Sequence, residues 1–269
     1  MYRTFHFVPA DKAKYISNIN VLNADHIILD LEDSVDLINK DIARDKVDYL
    51  LGNTKDLFRI WIRCNSIDSA EFSKDIKLIR KYPQVGLVLP KVETIEDVKS
   101  ITSQINNRLI VLIESFHSLN NITSIVDNEQ VIGLGLGLED MLINIPRSES
   151  ELSGLIQGIY QKFILSAKMF NKFCLAGITS NYKSKDQLVH DCNKAISYGF
   201  DGKFSIHPNQ IEIINKIFSL AQERVDWALE VQQLSNLDES LGYQIISGKL
   251  ITPPKIKKAK TILSIMEKL

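Results

Sequence analysis

Leu109-Ile110-Val111-Leu112-Ile113-Glu114-Ser115 is an unbroken aliphatic run closed by a carboxylate. A strand that is apolar throughout is covered on both faces, as in a parallel sheet flanked by helices. Runs of the same kind recur over Thr4–Val8, His26–Leu31, Phe58–Arg63, Gly86–Pro90, Val131–Gly137, Phe173–Ile178 and Gly202–His207. With Leu109–Glu114 they make eight, each about five to seven residues long, the usual strand length.

Helical spacing fills the intervals. Asn39–Leu51 carries Ile42, Val47, Leu50 and Leu51 among charges, and Ser69–Lys81 carries Phe72, Ile76 and Ile79. Thr94–Ile105 opens with Thr94-x-x-Asp97, a capping box in its acidic form. Lys185–Tyr198 stops at Gly199, a glycine suited to a helix C-terminus. A strand–helix unit repeated eight times closes a barrel, whereas an open doubly wound sheet stops earlier. The spacing predicts a (β/α)8 TIM barrel over residues 1–218, with 219–269 as a C-terminal helical extension. Ser219–Ser235 and the tail Gly242–Leu269 are expected to pack on the barrel mouth or on a neighbouring subunit.

Length agrees, because 269 residues accommodate one barrel of about 250. Formal charge is −1, from 32 basic and 33 acidic residues, so neither nucleic acid nor an anionic membrane is favoured as a partner. Cys64, Cys174 and Cys192 show neither disulfide-framework nor zinc spacing, and a reduced cytoplasm is the simplest compartment. The opening Met1-Tyr2-Arg3-Thr4-Phe5-His6-Phe7-Val8-Pro9 reads as too short and polar for a signal peptide. No stretch approaches the roughly 20 apolar residues of a membrane span.

Charge gathers where the runs end. The second ends Asp30-Leu31-Glu32-Asp33, the third Arg63-Cys64-Asn65, the fourth Pro90-Lys91-Val92-Glu93 and the fifth Glu114-Ser115. The sixth leads to Glu139-Asp140 and the eighth to His207-Pro208. In a barrel these ends share one rim, where such enzymes keep their chemistry. Carboxylates with little sulfur or histidine nearby form a hard-oxygen site suited to Mg2+, and Glu114 with Asp140 is the pair expected to hold it. Arg63 is expected to grip a substrate carboxylate through a two-pronged fork. Metal and arginine together would hold a 2-keto acid and stabilise the charge formed as a carbon–carbon bond breaks.

Taken in order, Phe7-Val8-Pro9, Leu29-Asp30-Leu31-Glu32-Asp33-Ser34, Ile62-Arg63-x-Asn65, Leu89-Pro90-Lys91-Val92-Glu93, Ile113-Glu114-Ser115, Gly137-x-Glu139-Asp140 and Gly199-Phe200-Asp201-Gly202-Lys203-x-x-Ile206-His207-Pro208 carry a resemblance. The chain resembles the citrate lyase β-subunit-like branch of the HpcH/HpaI aldolase superfamily from Phe7 to about Leu263. The resemblance implies a barrel assembled as a homotrimer or hexamer, with Mg2+ on Glu114 and Asp140 and Arg63 on a substrate carboxylate. Glu32 and Asp33 would sit beside the metal and reach it through water. It further implies lyase chemistry on 3-hydroxyacyl compounds, with a small carboxylate or keto acid as substrate and a coenzyme A thioester as the alternative. Lys12 retains one of the basic groups that hold coenzyme A phosphates in the family, but Asn18 stands where a lysine is expected. Thr252 replaces a tail aspartate that acts in acyl-CoA chemistry.

Other readings of these residues stay open. Glu114 and Asp140 can be salt-bridge partners, Glu32-Asp33 a helix cap, and Arg63 internally paired. His207 before proline reads better as a structural histidine than as a base, and Lys91 beside a metal site is a poor Schiff-base candidate. Gly133-x-Gly135-x-Gly137 lacks the spacing of a dinucleotide loop and suits close approach inside a barrel. Lys255, Lys257, Lys258 and Lys260 read as the solvated face of a helix. Three functions follow: a Mg2+-dependent lyase or aldolase on a small hydroxy or 2-keto acid, a coenzyme A thioester lyase of malyl-CoA or citryl-CoA type, or a non-catalytic metal- and carboxylate-binding barrel.

Overall fold

The computed structural model describes residues 2–234, 243–246 and 248–266. In chain order the elements are β1 (Thr4–Pro9), α1 (Ala13–Ile16), β2 (His26–Asp30), α2 (Lys40–Gly52), β3 (Ile60–Arg63), α3 (Phe72–Ile79), β4 (Gly86–Leu89) and α4 (Ile95–Thr102). They continue with β5 (Leu109–Ile113), α5 (Phe116–Val126), β6 (Val131–Leu136), α6 (Leu138–Leu142), α7 (Ser153–Met169), β7 (Phe173–Ala176), α8 (Lys185–Tyr198), β8 (Gly202–Ser205) and α9 (Pro208–Phe218). Each strand pairs in parallel with the next, and β8 pairs with β1, so the sheet closes as an eight-stranded barrel. All eight expected strands are present.

Two layers follow from strand alternation. One face of each strand packs under the helices, where Leu29, Ile62, Leu87, Val111 and Leu134 meet Val47, Ile76, Ile101 and Ile122. The other face fills the lumen with Phe5, Ile28, Trp61, Val88, Ile110, Leu112, Phe173, Leu175 and Phe204. Barrel interiors of this kind are packed cores, and truncating a side chain as large as Trp61 costs about 3–5 kcal/mol. The β6 glycines make that packing possible. A Cβ on Gly133 would lie 2.3 Å from the Phe173 ring, and one on Gly135 2.6 Å from Leu112 and Phe204. They serve close approach inside the barrel, as expected.

Local signals hold at several helix ends. The Thr94–Asp97 capping box forms in both directions, and Gly199 adopts the left-handed conformation (φ 98°) that ends α8. Glu32 and Asp33 do not cap α2, which begins at Lys40 after a 3-10 turn over Leu37–Asn39.

Residues 2–218 form one compact unit, and the described part of 219–269 forms a second. The second unit holds α10 (Gln222–Leu234), an antiparallel hairpin of β9 (Gln244–Ile246) and β10 (Lys249–Ile251), and α11 (Pro253–Met266). Two helices make up most of the described part of the expected helical extension, and the short hairpin is an addition to it. Ala228, Val231, Ile251, Ile256, Ala259 and Ile262 make its small core, which leaves the four lysines of α11 exposed. Ser235 and Gly242, where one expected helix ends and the tail begins, lie outside the described residues. No helix among the described residues is long and apolar enough to cross a membrane.

Candidate active site at the carboxyl rim of the barrel

Lumen-facing positions recur every second residue, so the inner rows continue to the rim as Ile28–Asp30–Glu32, Trp61–Arg63 and Ile110–Leu112–Glu114. Apolar burial deep in each row gives way to charge at its C-terminal end. Alternation alone therefore brings the arginine and three of the carboxylates into one place.

Arg63 is their centre. Its Nε and Nη2 donate to the two oxygens of Asp30, each at 2.7 Å. Its Nη1 lies 3.3 Å from Glu32 and 4.0 Å from Asp33. The guanidinium stacks 4.9 Å above the Phe7 ring. The fork expected to grip a substrate is thus occupied by Asp30, and what faces the site is Nη1. Burial opposes its charge, but the Asp30 contacts prevail and raise its pKa.

Lys91 closes the other side. Its ammonium lies 2.7 Å from Glu32 Oε1 and 3.6 Å from Asp33. Neither buried oxygen of Glu32 accepts a well-directed hydrogen bond, so the Lys91 contact is one of distance, without hydrogen-bonding alignment. Burial raises the Glu32 pKa despite the pull of Arg63 and Lys91. Lys91 has φ 54°, unusual for a residue with a side chain, and its backbone N–H donates to Glu114 Oε2 at 3.0 Å. Burial pushes Glu114 up to about 7, with Glu32 and Asp140 adding repulsion that the Lys91 N–H and Arg63 offset only in part. Asp140 is exposed in the first turn of α6. Gly137 leaves the room Glu114 needs, because a Cβ there would lie 2.5 Å from Glu114 Cγ.

Arg63, Glu114 and Asp140 line one cavity of about 420 Å³, with Phe7, Leu112 and Phe204 as its apolar floor. Lys12 is not among the residues lining it, and its exposed ammonium is paired with Asp11 at 2.6 Å. Asn18 bonds the Lys14 carbonyl. His207 accepts from the Asn209 N–H and stacks on Tyr182 at 4.8 Å, a structural arrangement. Sequence reading assigned no role to Asp30, nor to Lys40, whose buried ammonium donates to the carbonyls of Leu31 and Glu32. The lumen-facing parity of Asp30 with Ile28 was the available signal for the first.

A closed (β/α)8 barrel with converging acids and one guanidinium at its carboxyl rim is the architecture of a barrel enzyme. Residues 3–208 match the HpcH/HpaI aldolase/citrate lyase family, and the chain belongs to it. It is 28% identical over 279 residues to the citrate lyase subunit beta of Escherichia coli K12, covering 97% of this chain and 92% of that one. It is 27% identical over 293 residues to the mitochondrial citramalyl-CoA lyase of Rattus norvegicus, covering 98% and 85%. The fold is similar, with TM-score 0.78 and 24% identity over 98% of this chain and 97% of that one, to the CitE protein of Mycobacterium tuberculosis in complex with magnesium, acetoacetate and coenzyme A. Family membership makes the chain an enzyme of the carbon–carbon lyase class.

Proposed function

We propose that this enzyme is a Mg2+-dependent carbon–carbon lyase, or aldolase, acting on a small hydroxy or 2-keto acid. One observation carries the reading. Asp30, Glu32, Asp33, Glu114 and Asp140 gather around Arg63 and Lys91, and the adjoining cavity of small-molecule size adds Glu139, Glu149 and Asp191 against Lys194 and Lys203, so acids outnumber cations. Such a cluster calls for a further positive charge, and the two buried Glu32 oxygens without directed donors point the same way.

The donor set fits magnesium. Among the described residues no three such side chains form a ready-made metal cage, and magnesium characteristically takes one or two carboxylates and completes its shell with water and substrate. Glu114 and Asp140 would hold it, with Glu32 and Asp33 acting through water. When bound, it supplies Lewis acidity to the substrate oxygens. Arg63 orients the substrate carboxylate through Nη1. Glu32, whose proton affinity is raised by burial, would accept the hydroxyl proton as the carbon–carbon bond opens. The hydroxyl carbon then becomes a carbonyl, and the bond's electron pair leaves on the other fragment as an enolate that is protonated from solvent. Phe7, Leu112 and Phe204 keep water from the floor of the cavity.

Coenzyme A thioesters are the second reading, favoured by the nearly full-length likeness to a citramalyl-CoA lyase. Pairing of Lys12 with Asp11 and the presence of Thr252 argue for free acids as the first choice. The same reading takes the assembly to be a homotrimer or hexamer, which sedimentation would test, with 219–269 packing on the barrel mouth or on a neighbouring subunit.

The deciding experiment is calorimetric Mg2+ titration of Glu114→Gln/Asp140→Asn, with a circular dichroism melt. Loss of Mg2+ binding with the fold retained is expected, since both acids lie outside the packed layers. Unchanged affinity would reject the metal assignment.

A further inference from the structure

Asp30 is 1% exposed and ends β2 directly opposite Arg63 in the β2–β3 register. Its carboxylate accepts four hydrogen bonds. Oδ1 takes Arg63 Nε at 2.7 Å and the Glu32 N–H at 3.0 Å, while Oδ2 takes Arg63 Nη2 at 2.7 Å and the Ser34 N–H at 3.3 Å. Two of these come from the next strand and two from the loop that carries Glu32 and Asp33. Lys40 holds that loop from the other side through the Leu31 and Glu32 carbonyls, at 2.8 and 2.9 Å. One buried anion therefore ties the arginine to the acid loop.

We propose that Asp30 is the positioning residue of the site: it fixes the Arg63 plane so that only Nη1 meets substrate, and holds Arg63 and the Glu32–Asp33 loop as one body. Burial alone would push the Asp30 carboxyl up, yet the Arg63 contacts keep it below the ordinary range and the pair ionised. The identity of the ligand on Nη1 rests on the functional reading above, whereas the coupling of Asp30 to Arg63 does not.

The test compares Asp30→Asn, Arg63→Gln and the double variant in the full chain. Pyruvate affinity is measured by calorimetry in the presence of Mg2+, and exchange of the Arg63 Nε–H with solvent by NMR. Loss of a charge-assisted contact predicts pyruvate binding roughly tenfold or more weaker in each single variant. The double variant should lose no more than either single, because the two residues act as a unit. Exchange of the Arg63 Nε–H should quicken in Asp30→Asn. Multiplying losses, or wild-type pyruvate affinity in Asp30→Asn, would overturn the proposal. If the wild type binds no pyruvate, the functional reading fails, and the NMR exchange alone decides the role of Asp30. Should Asp30→Asn fail to fold, a folded double variant shows that the Asp30 charge acts through Arg63. An unfolded double variant reduces Asp30 to a structural role and rejects the idea.

Discussion

Arg63 shows how a residue type becomes a function through its neighbours. Asp30 fills one edge of the guanidinium, Phe7 lies beneath it, and Nη1 is left toward the acids. A lysine keeps the charge but has no second edge, so it cannot hold Asp30 and reach the substrate together. Arg63→Lys is expected to weaken oxaloacetate or pyruvate binding in the presence of Mg2+ by about 1.5–3 kcal/mol, the range for a charged hydrogen bond. Equal affinities in a calorimetric comparison would put the carboxylate elsewhere. Away from the rim, His6 carries a pH signature. Burial, then repulsion from His207, holds its pKa down to about 4, against a contact with Ser205 that favours the charged form. The unfolded chain takes up this proton below about 6.5, while the native state refuses it until about 4. Stability is therefore lost as pH falls through that window, by about 3 kcal/mol for a shift of this size. Denaturant titrations at pH 7 and pH 4 should show a smaller difference for His6→Gln than for wild type, and identical differences would refute the assignment.

At the scale of elements, strands were legible because burial on both faces leaves an unbroken apolar run. Their ends were less so. Gly202–His207 was expected and Gly202–Ser205 is found, since the apolar character outlasts the ladder of hydrogen bonds. Phe58 falls in a 3-10 turn before β3 for a similar reason. Glu114 was visible because a carboxylate closing such a run is conspicuous. Asp30 was not, because its role depends on which face of β2 is the lumen. Lys12 was read as a ligand-binding cation, and the structure shows its ammonium paired with the adjacent Asp11. Gly135 in β6 and Gly137 just after it give this scale its test, since they face different things. A Cβ on Gly137 meets Glu114, while one on Gly135 meets core side chains. Overpacking costs about 1–3 kcal/mol wherever it falls. Gly137→Ala is expected to weaken Mg2+ binding by about tenfold with a modest change in melting temperature, because Glu114 must swing aside. Gly135→Ala should mainly lower the melting temperature. The reverse pattern in paired titrations and melts would show that the room Gly137 leaves for Glu114 does not serve the proposed metal site.

For the whole molecule, the test of how far this enzyme follows its relatives falls in the second unit. Thr252 lies between β10 and α11, and its carbonyl accepts the Ile256 N–H at 3.1 Å. The family resemblance puts an aspartate there that acts on acyl-CoA substrates. A positioned carboxylate contributes roughly 10²–10⁴-fold as acid or base. A threonine hydroxyl titrates far above neutral pH and has no such capacity. Asn18, tied to the Lys14 carbonyl, brings no charge to coenzyme phosphates, and Lys12 would have to leave Asp11 to meet them. Little cleavage of malyl-CoA or citryl-CoA is therefore expected from the wild type, while keto-acid binding with Mg2+ persists. Thr252→Asp is a fair probe, because aspartate is favourable just ahead of a helix and the variant should fold. Steady-state assays of both thioesters on both proteins separate the readings. Vigorous wild-type turnover would promote the coenzyme A reading over the free-acid one, since another group would then supply the proton transfer. Activity gained in Thr252→Asp would identify an otherwise intact thioester lyase lacking one carboxylate. Inactivity of both proteins, with keto-acid binding intact, would leave the free acid as the substrate to pursue.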